Sequence, residues 1–90
     1  NPYYHASLGE EAAQAGDWPR AVEHYEKALA LAPGDSGFLF VLGQSYGQLG
    51  EFAIASAYMQ RAIDSSTERA DIVRYQQYLS TLQDRYVSES

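Results

Sequence analysis

Residues 8–17 read LGEEAAQAGD, and residues 42–51 read LGQSYGQLGE. Laying the chain on itself at the offset of these two stretches extends the likeness in both directions. Leu8 meets Leu42, Gly9 meets Gly43, Gln14 meets Gln48, Gly16 meets Gly50, Ala21 meets Ala55 and Ala28 meets Ala62, where ordinary composition gives roughly two coincidences. Size, ring and charge recur as well: Tyr4 falls on Phe38, Trp18 on Phe52, Asp17 on Glu51, Lys27 on Arg61 and Leu29 on Ile63. A period of about 34 residues is the mark of a helical hairpin copied once.

The helix breakers place the hairpins. All seven glycines lie between Gly9 and Gly50, and the prolines are Pro2, Pro19 and Pro33. Taken as boundaries, they leave apolar-periodic segments at 2–15, 18–31, 37–49, 52–65 and 68–87, joined by short connections. Five helices are predicted. Asn1 is placed to cap the first, with Pro2 in its opening turn, and Asp17 to cap the second. Gly16 and Gly50 suit the left-handed residue that ends a helix. Pro33-Gly34-Asp35-Ser36 stops the second helix and caps the third, and Ser66 or Thr67 is available to cap the fifth. Gly9 with Ala21, and Gly43 with Ala55, are small residues on facing helices, which lets the axes approach to ~8–10 Å. Leu8, Tyr25, Leu29, Leu42, Tyr46, Met59 and Ile63 are then expected to fill the remaining space.

On these residues the chain resembles the tetratricopeptide repeat family. Leu8-Gly9, Gly16-Asp17, Ala21, Tyr25, Ala28 and Pro33 carry the likeness in one unit, and Leu42-Gly43, Tyr46, Gly50, Ala55, Met59 and Ala62 in the next. Departures are mild: His5 and Leu39 stand where that family has a large aromatic, Ala12 where it has tyrosine, and Thr67 where it has the closing proline. The resemblance implies an all-α right-handed solenoid of two hairpins, residues 2–35 and 36–69. Residues 70–90 do not continue the motif. Ile72, Tyr75, Leu79, Leu82 and Tyr86 instead form a helical apolar stripe, so this segment is expected to be a capping helix. Two units and a cap are fewer than a free-standing array usually needs, and the chain opens at Asn1 rather than Met. It is therefore expected to be part of a longer protein, to stack on further repeats, or to self-associate.

Composition excludes other classes of function. Ninety residues with 46% apolar and 20% charged content suit one folded domain, and no apolar run approaches the ~20 residues of a membrane span. The net charge of −6 opposes binding to nucleic acid or anionic lipid. Without cysteine there is neither disulfide nor thiol nucleophile, a pattern that suits any compartment. His24 is expected on a solvated helix face and His5 as a partly buried stand-in for an aromatic. No metal-ligand spacing joins them. Glu10 and Glu11 point about 100° apart on a helix, so they form no acid/base couple. No phosphate-binding glycine loop and no nucleophile elbow is present. No cofactor, metal site or catalytic residue is implied, and the chain is not expected to be an enzyme.

What remains is recognition. In tetratricopeptide repeats the first helices of successive hairpins line a concave groove, and the resemblance places there Tyr3, Ala6, Glu10, Ala13 and Gln14. It adds Phe40, Gln44, Gly47 and Gln48 from the second unit and Arg74 and Tyr78 from the last helix. Small floor residues, aromatic walls and amide or guanidinium groups suit a peptide. Phe40 is either an anchor for a partner or a residue packed with Tyr78 under the cap. Members that grip chaperone C-terminal tails use lysines and asparagines on this face, and here Ala6, Glu10, Phe40 and Gln44 occupy those places. A neutral, apolar or mildly basic segment is expected instead. The alternatives are a scaffold or oligomerisation element, with Tyr3 and Tyr4 packing on another copy or on upstream repeats, and an accessory domain of a larger enzyme.

Overall fold

Three carboxylate or amide side chains start the helices they precede. In the computed structural model, which describes residues 1–89, Asn1 accepts from the Tyr3 N–H at 2.9 Å, Asp17 from Arg20 at 3.2 Å and Asp35 from Phe38 at 3.1 Å. They open α1 (Pro2–Gln14), α2 (Trp18–Leu31) and α3 (Ser36–Gln48), which are followed by α4 (Phe52–Ser65) and α5 (Arg69–Glu89). Glu51 precedes α4 without a side-chain capping bond. Ahead of α5, the Ser66 hydroxyl accepts from the Glu68 N–H at 3.3 Å. The last helix starts one residue after the 68 expected from the periodicity and runs past the expected 87, and Ser90 lies outside the described residues.

Both hairpin turns use one device. Gly16 and Gly50 have φ of +76° and +80°, a conformation glycine adopts without steric cost. Around Gly16, its own N–H reaches the Ala13 carbonyl at 3.0 Å and the Asp17 N–H reaches Ala12 at 2.8 Å. Around Gly50 the matching bonds run to Gly47 at 3.1 Å and from Glu51 to Tyr46 at 2.9 Å. Each is the paired closure that satisfies the last carbonyls of a helix. The connection between hairpins differs. Ala32 leaves the helical region, with φ −142° and ψ 71°, because the Pro33 ring disfavours helix in the residue before it.

α1 packs on α2, α3 on α4, and α2·α3 and α4·α5 join successive units. The molecule measures 38 × 29 × 18 Å, and 18 Å is room for two helix layers. Tyr3 meets Phe38 and Phe40 meets Tyr75 by ring contact, which sets α1, α3 and α5 side by side. Glu26 meets Tyr58, which sets α2 beside α4.

The core lies between the hairpins and under α5. Leu39, Leu42, Ala55, Met59 and Ala62 are fully enclosed, with Tyr75 and Leu82 almost so, each large side chain contributing ~1.5–3 kcal/mol. Glycine permits close approach in each hairpin: a Cβ on Gly43 would lie 2.7 Å from Met59 Cε and 3.3 Å from the Ala55 carbonyl oxygen. Beside Gly9 the space is taken by the Tyr25 ring.

Two expectations about the core are corrected. Leu8, the repeat partner of fully buried Leu42, is only half-buried, because hairpin 1 covers Leu42 and no described element covers Leu8. The apolar stripe of α5 fades at Tyr86, which is 53% exposed. At ~1.5 Å per residue, the 21 residues of α5 outrun the 13 and 14 of α3 and α4.

Candidate recognition surface on helices 1, 3 and 5

A trough runs across α1, α3 and α5 as two depressions. The larger, about 700 Å³, lies between α1 and α3 and is lined by Tyr3, Ala6, Glu10, Ala13, Gln14 and Gln44 of the expected set. Six further residues complete it: Ser7, Tyr25, Asp35, Gly37, Phe38 and Val41. The smaller, about 390 Å³, lies between α3 and α5, where Phe40, Gln44, Arg74 and Tyr78 are joined by Gln77 and Thr81. Gln44 belongs to both. Gln48 lines neither, and Gly47 lies under α5, where a Cβ would meet Leu82 Cδ2 at 2.9 Å and the Tyr78 hydroxyl at 3.3 Å.

Phe40 is part of the seam that holds α5. Its ring stacks on Tyr75 with centroids 4.6 Å apart and meets Tyr78 edge-on at 5.8 Å, and it is half-buried. The Arg74 guanidinium sits 5.1 Å over Phe40 and 5.4 Å over Tyr75, its Nη2 3.3 Å from Asp71 Oδ1. Such stacking fixes a cation at the trough edge. Burial raises the Tyr78 phenol above its ordinary value, and the charge of Arg85 partly offsets this.

The α1/α3 depression has the opposite charge. Glu10 and Asp35 are the charged residues of its lining. Glu10 accepts from Gln14 Nε2 at 3.4 Å, and Asp35 Oδ1 is engaged in capping α3. Tyr25 forms the wall, 6% exposed. Burial first, and then the charges of Glu10 and Asp35, push its phenol up.

Residues 26, 46, 58 and 61, distant in sequence, form a second polar cluster. The Tyr58 hydroxyl donates to Glu26 Oε1 at 2.6 Å and the Tyr46 hydroxyl reaches the same oxygen at 3.5 Å. The two rings stack at 5.5 Å, and Arg61 lies 5.4 Å over Tyr58. Burial, then the Glu26 hydrogen bond and charge, raise the Tyr58 phenol strongly against the opposing pull of Arg61. Glu26 and Tyr58 went unnoticed in the sequence because the contact joins positions 32 apart on different helices, and neither residue belongs to a local motif.

His24 corrects a further expectation. It is half-buried rather than solvated, since it lies along the α1/α2 face with Leu8, Ala12 and Arg20. Its Nδ1 and that of His5 are buried without a hydrogen-bond partner among the described residues. Among the described residues no three His, Cys, Asp or Glu side chains gather as metal ligands, and no helix is long and apolar enough to cross a membrane.

Models of the tetratricopeptide repeat match residues 2–35 and residues 36–68. No curated protein is significantly similar to the chain in sequence.

Proposed function

This chain belongs to the tetratricopeptide repeat family, whose repeats generally serve as protein–protein interaction modules and are typically non-catalytic, and we propose that it binds a segment of a partner protein along the trough of α1, α3 and α5. The observation that carries this is continuity: Gln44 belongs to the depressions on both sides of α3, so one extended segment has a path across three helices. Gln44 offers an amide donor and acceptor to a peptide backbone at the crossing, and Phe38, Val41 and Ala13 supply apolar contact. The net charge of −6 favours a protein partner over nucleic acid.

The test is a selection of random nine-residue peptides against the intact chain. Ala13→Phe, which fills the larger depression, is expected to abolish binding of the selected peptides. Ala57→Arg, on α4 outside the trough, is expected to leave it unchanged. Peptides indifferent to Ala13→Phe remove the proposal.

A second reading, stacking on a further helical hairpin, is supported by one comparison within the chain. Tyr4 is 63% exposed, whereas Phe38, its repeat partner, is 6% exposed beneath hairpin 1. Light scattering over a concentration series decides whether that partner is another copy. A monomer at all concentrations, with Tyr4→Glu behaving identically, excludes self-association.

A further inference from the structure

The α1/α3 depression carries two carboxylates and no lysine or arginine among its lining residues. Neither Glu10 nor Asp35 is in an ion pair among the described residues, where the pairs are Lys27–Glu23 and Arg74–Asp71. They come from different elements, α1 and the turn before α3. Tyr25, only 6% exposed as a residue, lines the same cavity, and its hydroxyl makes no hydrogen bond to a described residue. Both carboxylates, after burial, contribute to raising that phenol, and all three side chains line the one cavity.

We propose that this cavity seats a lysine or arginine side chain of the bound segment, its N–H groups donating to the carboxylates of Glu10 and Asp35 and to the phenolic oxygen of Tyr25. The inference rests on the trough being the binding surface. A long cationic side chain matches the site in both its parts: its methylenes lie along Phe38, Val41 and Ala13 while its head reaches the carboxylates. At about 700 Å³ the cavity also has room for the flanking residues of the segment. The α3/α5 half, with Arg74 stacked on Phe40, repels the same cation. The trough therefore orients the segment with its basic residue toward α1.

The nine-residue peptides selected against the intact chain test this directly. They are expected to be enriched in lysine or arginine, and to bind about tenfold more weakly to Glu10→Gln/Asp35→Asn. Asparagine retains the capping oxygen at position 35, so thermal denaturation of this variant is expected to match the parent. Replacing the cation in the peptide by norleucine or citrulline should cost the same tenfold on the parent and nothing further on the double variant. Peptides lost on Ala13→Phe yet lacking a cation, or unaffected by the double variant, overturn the cation seat and leave the trough standing. Peptides insensitive to Ala13→Phe overturn both. Agmatine alone binding as tightly as the peptides overturns the assignment to a protein segment.

Discussion

Replacing Tyr58 by phenylalanine removes one oxygen and with it the shorter of two polar ties between the hairpins. That hydroxyl donates to Glu26 at 2.6 Å, whereas Tyr46 reaches the same oxygen only at 3.5 Å, so the carboxylate loses its one short partner. A hydrogen bond to a charged group contributes ~1.5–3 kcal/mol. For 90 residues, an unfolding entropy of ~2.1 cal/mol/K per residue converts that loss into a Tm lower by roughly 8–16 °C. In a Glu26→Gln background the acceptor is neutral and the same substitution costs only ~0.5–1.5 kcal/mol. A double-mutant cycle by urea denaturation, followed through helical circular dichroism, should therefore give a coupling of about 1 kcal/mol. A loss from Tyr58→Phe below about 0.5 kcal/mol, or equal losses in both backgrounds, refutes the assignment of this bond as an inter-hairpin tie.

The same group contributes to the alkaline behaviour, together with the raised phenols of Tyr25, Tyr46 and Tyr78. Its phenol is raised above 10.0 by burial and then by Glu26, so the folded chain holds the proton more tightly than the unfolded one. The stabilisation is whole below pH 10.0 and is lost as pH rises above it. The parent should lose stability more steeply than Tyr58→Phe in that range.

Three further outcomes follow from packing and caps. Leu42→Ala should cost ~2–5 kcal/mol and Leu8→Ala less than half as much, since the first is fully enclosed and its repeat partner is not; equal losses in urea denaturation would mean that hairpin 1 is covered on its outer side. Gly9→Ala places a Cβ 2.5 Å from Tyr25 Cδ2. The overpacking outweighs the gain in helix propensity for a net loss of about 1 kcal/mol, while Gly34→Ala, with nothing within 4 Å, should stay within about 0.5 kcal/mol of the parent. Asp17→Ala should cost ~1 kcal/mol for its capping bond, and Glu51→Ala, at the matching position without such a bond, much less. Thermal denaturation of the pair checks this.

The helices, their order and their ends were legible because each depends on a few neighbouring residues. Asp17 caps, Gly16 turns and Pro33 stops wherever the chain goes, and a copied set of such signals announces itself at a fixed offset. The trough was legible in part. Tyr3, Glu10 and Gln44 face it because α1 and α3 present the same face of the repeat. Tyr25 and Asp35 were missed as lining residues because one reaches the cavity from the second helix layer and the other from a turn, and both already had local duties in packing and capping.

From the sequence alone came the all-helical class, the two-hairpin repeat and the closing helix, since periodicity, breakers and caps are local properties that survive any arrangement of the helices. Only the tertiary structure decided which of two equivalent leucines is enclosed, that Phe40 is shared between α5 and the trough, and that a carboxylate on α2 is bound by a phenol on α4. These depend on what each surface meets. Residues related by the repeat carry the same chemistry but meet different neighbours, because one hairpin has another stacked against the face that the other leaves uncovered.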